Sequence, residues 1–246
     1  MQWANMHEKI RMAAKKMEKR FCFKKNILLL TSLSLIACGL HAVMLYTPIN
    51  QYAYTSVAKV VLFVLCPIIY FAAKKCGKLK DLLFIRGERK YIRISLFLGI
   101  GVFALILAVG FAISPLLDRS LIIVAMSNVG ITGENYFLAL AYYLLINVAL
   151  EELFFRGFLF ASLYRMNVKR YAHIYSSLLF AVYHISVMRD GATLWIVTLA
   201  VVGLVLVGLF FNEITRRCGN AIGSYTIHVG ASLAIGLIGA YYMYFD

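Results

Sequence analysis

Asn147-Val-Ala-Leu-Glu-Glu-Leu-Phe-Phe-Arg-Gly-Phe158 puts three charges, Glu151, Glu152 and Arg156, inside a run that is almost continuously apolar from Tyr136 to Tyr164. A run of that length and composition reads as a membrane-spanning helix. Placing one charge in hydrocarbon costs roughly 2.5–3.5 kcal/mol on insertion scales. Three together therefore need a reason, and the expectation is a polar site turned toward the protein interior.

Outward from this run the chain repeats the pattern. Apolar stretches occupy about residues 26–47, 53–73, 94–116, 135–163, 171–188, 192–212 and 221–244, each near the ~20 residues needed to cross a bilayer. The segments between them alternate in charge. Residues 74–93 hold eight Lys or Arg, and Arg165, Lys169, Arg170, Arg216 and Arg217 mark the later basic loops. The other loops carry no basic residue at 48–52, only Arg119 before the fourth span and only Arg189 before the sixth. This alternation predicts an all-α polytopic membrane bundle of about seven transmembrane helices, with a cytoplasmic N-terminus and an outside C-terminus.

Composition agrees. The 246 residues are 62% hydrophobic and only 15% charged, with three prolines and a mean hydropathy of +0.81, which excludes an ordinary soluble domain. The net charge of +14 is not a nucleic-acid surface, because the basic residues sit in short segments between apolar runs. Residues 1–25 hold eight Lys or Arg against Glu8 and Glu18, with Met6, Ile10, Ala13, Met17 and Phe21 at helical spacing. They read as a basic amphipathic segment on an anionic cytoplasmic leaflet, or as a solvated tail that sets topology. Residues 78–92 read as a cytoplasmic interfacial segment, and 117–134 as an outer loop able to form a short helix. Residues 26–134 then hold the first three spans and this loop, and 135–246 the polar core. Cys22, Cys38, Cys66, Cys76 and Cys218 show no ligand spacing and read as free thiols. Leu35-Ile36-Ala37-Cys38 resembles a lipoprotein cleavage box, but a retained helix fits its apolar run better. His41 reads as an interhelical hydrogen bonder.

Spans one, two, three and six look lipid-packed and without chemistry. Span five offers His184, and span seven offers His228 and Ser232 one helical turn apart. On an α-helix Glu152 and Arg156 form an i,i+4 pair in the favourable order, and a paired ion is far cheaper to bury than a lone one. Glu151 points about 100° away with no arginine on its own helix. It is the candidate for chemistry, with Glu152 and Arg156 as structural support. Counted from the cytoplasmic span ends at ~1.5 Å per residue, Glu151, His184 and His228 lie within about 10 Å in depth. Two chemistries remain open. Glu151 as general base would activate water with His184, while His228 and Ser232 stabilise an oxyanion. Alternatively Glu151, His184 and His228 would ligate Zn²⁺.

Glu151-Glu152-x-x-x-Arg156, Phe180-x-x-x-His184 and His228-x-x-x-Ser232, in this order on late helices, resemble the three motifs of the CPBP family of intramembrane proteases. That family includes type II CAAX prenyl endopeptidases and Abi-like proteins linked to bacteriocin self-immunity. The resemblance covers about residues 135–244. It implies peptide-bond hydrolysis in or near the membrane, with Glu151 and His184 activating water, His228 on the oxyanion, and Glu152 and Arg156 in support. The family's third motif usually ends in Asn or Asp. Ser232 stands there, with one hydroxyl donor, so either Ser232 suffices, a nearby group such as Asn220 or Tyr225 compensates, or the protein is a weakened or non-catalytic member.

The expected function is an intramembrane peptidase acting on a membrane peptide or protein in a bacterial plasma membrane, with no nucleic-acid partner. No cofactor is expected by the glutamate route, and Zn²⁺ by the other. The alternatives are a non-catalytic immunity or sensor-regulating membrane protein and a small transporter or lipid-handling protein.

Overall fold

A computed structural model describes residues 25–45, 52–74, 89–116, 118–128, 130–185 and 194–245. The basic segment at 1–24 and most of the interfacial segment, 75–88, lie outside them. Eight helices and no strand are present among the described residues. We label them α1 (Lys25–Leu45), α2 (Tyr52–Lys74), α3 (Arg89–Ile113), α4 (Arg119–Asn128), α5 (Tyr136–Arg165), α6 (Lys169–Ile185), α7 (Leu194–Cys218) and α8 (Ile222–Tyr244). Six of them, all but α4 and α6, are long and apolar enough to cross a membrane. The expected all-α membrane bundle is the observed fold. The fifth expected span, 171–188, corresponds to α6, whose described part is 17 residues. The short helix expected over 117–134 is α4.

Apolar side chains point outward as well as inward. Leu96, Phe97 and Ile100 on α3 and Leu138 and Leu145 on α5 are exposed, as suits helices whose solvent is hydrocarbon. Backbone hydrogen bonds are closed within each helix, so the lipid-facing surface can be apolar throughout.

Two packed groups meet at the polar residues. Leu30 and Cys38 of α1, Phe63 and Tyr70 of α2, Phe154, Phe155 and Phe158 of α5 and Phe180 and Tyr183 of α6 form one core. Phe63 stacks on Phe154 with ring centres 4.1 Å apart. His41, buried in α1, packs its ring on Tyr183 and hydrogen-bonds the Thr55 backbone on α2, the interhelical role expected of it. The second group joins Phe211, Ile214 and Cys218 of α7 to Ile227 of α8. Cys38, Cys66 and Cys218 are free thiols.

Helix α8 lies along α3 through glycines. A Cβ built on Gly230 would stand 2.5 Å from the Gly99 carbonyl oxygen, and one on Gly99 would stand 2.9 Å from the Thr226 carbonyl oxygen. Gly236 faces Leu140 of α5, whereas Gly230 faces α3. The C-terminal end of α8 is tied down by Arg119, whose Nε donates to the Tyr242 carbonyl at 2.9 Å.

Candidate active site

Helix α5 is not a uniform α-helix. It widens into π-helical turns at Tyr143–Asn147 and Glu152–Phe160. Such turns take up one more residue each and re-aim the side chains they carry. Glu151 and Glu152 sit where the second segment begins, and both are buried, as is Arg156. The two carboxylates flank one imidazole, that of His228.

Glu151 is held on one side and open on the other. Its Oε1 faces the Lys59 Nζ at 2.5 Å and accepts from Asn147 Nδ2 at 3.2 Å. Lys59 also donates to Asn147 Oδ1 at 2.6 Å and lies 5.1 Å and 5.6 Å from the Tyr183 and Phe63 ring centres. The other oxygen, Oε2, has no hydrogen-bond partner among the described residues. It stands 3.7 Å from His184 Nε2 and 3.8 Å from His228 Nε2. These separations exceed a direct hydrogen bond.

The two imidazoles are fixed differently. His184 Nδ1 lies 2.8 Å from the Phe180 carbonyl, which only accepts. Nδ1 therefore carries the proton, and in the neutral ring Nε2 offers a lone pair. His228 Nδ1 lies 2.9 Å from Glu152 Oε1. That oxygen is also 3.2 Å from Arg156 Nη1, the expected i,i+4 ion pair. The Arg156 nitrogens have ion-pair proximity but no aligned hydrogen bond. The guanidinium is instead sandwiched by rings, 4.0 Å from the Phe180 centre and 5.0 Å from that of Phe211, an arrangement that favours arginine.

The structure thus brings Glu151, Glu152, Arg156, His184 and His228 into one cluster. Ser232 is buried one turn along α8 from His228, but none of the hydrogen bonds just described involves it. Asn220 and Tyr225 bond elsewhere. Asn220 Oδ1 accepts from the Ile222 amide at the start of α8, and the Tyr225 hydroxyl donates to the Leu144 carbonyl at 3.4 Å.

Lys59 and Asn147 were not anticipated. Span two, expected to be without chemistry, supplies the cation opposite Glu151. Its signal was in plain view: Lys59 is the one charge in the apolar run at 53–73, and the insertion cost that singled out Glu151 applies equally to it. Asn147 precedes Glu151 by four residues, one turn away on the same helix face.

Residues 133–234 match the family model described as type II CAAX prenyl endopeptidase Rce1-like. This core of the chain belongs to that family. No curated protein and no solved structure matches the chain. The Rce1-like segment contains all three motifs, and Lys59 lies outside it.

A Zn²⁺ ion was the alternative reading of the same three residues. Among the described residues no group of three His, Cys, Asp or Glu side chains is arranged to hold a metal ion. Moreover the would-be carboxylate ligand already has an ammonium against it at 2.5 Å, and a dication beside that ammonium would be repelled.

Proposed function

We propose that the protein is an intramembrane endopeptidase that hydrolyses a peptide bond of a membrane-associated peptide or protein by glutamate-activated water. Its setting is a multi-pass position in a bacterial plasma membrane. The observation that carries this reading is Glu151 Oε2, buried, unpartnered and facing two imidazole Nε2 atoms. A buried acceptor left open in this way is a base in search of a proton donor.

The two histidines divide the work. A water between Glu151 Oε2 and His184 Nε2 has two acceptors for its protons, which leaves an oxygen lone pair for the scissile carbonyl carbon. Glu151 takes the proton as the C–O bond forms. The tetrahedral oxyanion needs a donor. His228 can supply one from Nε2 while Nδ1 faces Glu152 only when the ring carries both protons, and Glu152 is then its counter-charge. The proton held by Glu151 passes to the leaving amine as the C–N bond breaks. Ser232, at the third-motif position, adds at most one further donor to the oxyanion.

The family description supplies a probe, an internally quenched peptide ending in a prenylated CAAX sequence. Purified protein in proteoliposomes is expected to cleave it. Glu151→Gln should lower kcat by about 10³-fold or more, as loss of an essential base does, and EDTA should leave the rate unchanged. Equal rates for wild type and Glu151→Gln would refute the reading. That result would favour a non-catalytic immunity or sensor-regulating protein, the reading to which the serine at position 232 points.

A further inference from the structure

We propose that Lys59, with Asn147, is a positioning residue: the pair grips Glu151 Oε1 so that Oε2 is presented to His184 and His228. The inference rests on the peptidase reading and assigns the catalytic core a working part outside the family-matched residues 133–234.

The terminal torsion of a glutamate is broad and soft, so the direction of a lone carboxylate in a pocket is poorly fixed. Here the two oxygens are treated unequally. Oε1 meets two donors, Lys59 Nζ at 2.5 Å and Asn147 Nδ2 at 3.2 Å. Oε2 meets none and faces both Nε2 atoms. The holder is itself braced, because Asn147 Oδ1 accepts from the same ammonium at 2.6 Å. With two of its N–H bonds spent on these acceptors, Lys59 turns its remaining side to the rings of Tyr183 and Phe63. Its ammonium contacts Glu151 Oε1 and not the Oε2 that faces the imidazoles, so its influence on the reaction runs through Glu151.

Charge neutralisation alone would predict something different. A cation that merely allows Glu151 to be buried affects how much protein folds, and leaves the turnover of folded molecules alone. A positioning cation sets kcat and leaves KM unchanged, since the ground-state contacts with substrate are elsewhere.

The test uses the full chain in proteoliposomes with the prenylated CAAX peptide, and thermal melting in detergent to count folded protein. Lys59→Met is expected to lower kcat by about 100-fold with KM within about threefold of wild type. Lys59→Arg, which keeps a cation and donors, should recover at least about a tenth of the wild-type kcat. Asn147→Leu leaves the ion pair in place and removes the brace. It should cost about tenfold in kcat with an unchanged melting temperature. Folded Lys59→Met with a kcat within about threefold of wild type would overturn the proposal. Should Lys59→Met fail to fold, wild-type kcat in Asn147→Leu would overturn it instead. A peptidase reading that is itself wrong shows up separately, as Glu151→Gln cleaving at the wild-type rate, and removes Lys59 from the mechanism with it.

Discussion

A single oxygen, Glu152 Oε1, faces His228 Nδ1 at 2.9 Å and Arg156 Nη1 at 3.2 Å. Removing either neighbour therefore has a different consequence. Arg156→Leu leaves a fully buried carboxylate short of its cation and is expected to destabilise the protein by about 3–5 kcal/mol, read as a lowered melting temperature in detergent. The double variant Arg156→Leu/Glu152→Leu should recover part of that loss, because it removes both ions. Glu152→Gln is expected to fold and to lose kcat by about 10-fold or more, since the counter-charge behind His228 is gone. The motif residues were legible because each is a costly group in an apolar run. Lys59 is equally costly on paper, but a lysine on a flexible stem can carry its charge out to an interface, so its place in the chain did not reveal that it turns inward. Only the fold shows that Tyr183, Phe63 and Asn147 close around it.

Helix α8 carries His228, and its distance from α3 is set by backbone against backbone at Gly99 and Gly230. A methyl group at Gly230 would meet the Gly99 carbonyl oxygen at 2.5 Å, and a carbonyl in a helix cannot swing aside as a side chain can. Gly230→Ala is accordingly expected to cost about 1–3 kcal/mol through overpacking and to lower kcat by displacing His228, measured by melting and turnover on the same preparation. Gly203→Ala on α7, where the added carbon meets nothing within 4 Å, is the control and should be neutral or slightly stabilising. The extent of each helix was readable from hydropathy to within a few residues, because lipid forces every backbone group to be satisfied inside its own helix. The wide turns of α5 were not. No composition separates a π-turn from an α-turn in an apolar run.

At the scale of the whole molecule, six of the described helices suffice in length and hydropathy to cross the membrane, and the described part of α6 has 17 residues. At ~1.5 Å per residue its described part spans about 25 Å, close to the hydrocarbon thickness. His184 lies on it, so α6 must reach the depth of Glu151. We propose seven crossings with a cytoplasmic N-terminus, the arrangement that the loop charges favour. A C-terminal alkaline phosphatase fusion is then expected to be active and an N-terminal green fluorescent protein fusion bright. An inactive phosphatase fusion would reduce the count to an even number. Loop charges announce orientation, but they carry no information on which helices become neighbours. That is why the contact of α2 with α5 had to be seen.

The Lys59–Glu151 contact also limits how the motif-bearing half can be moved about. Grafting residues 133–234 behind another protein's opening helices would deliver all three motifs intact. It would nevertheless strand an anion in the greasy interior unless the new host offered a lysine at the same depth. The chemistry is written in one half of the chain and underwritten by the other, so any chimaera has to inherit both.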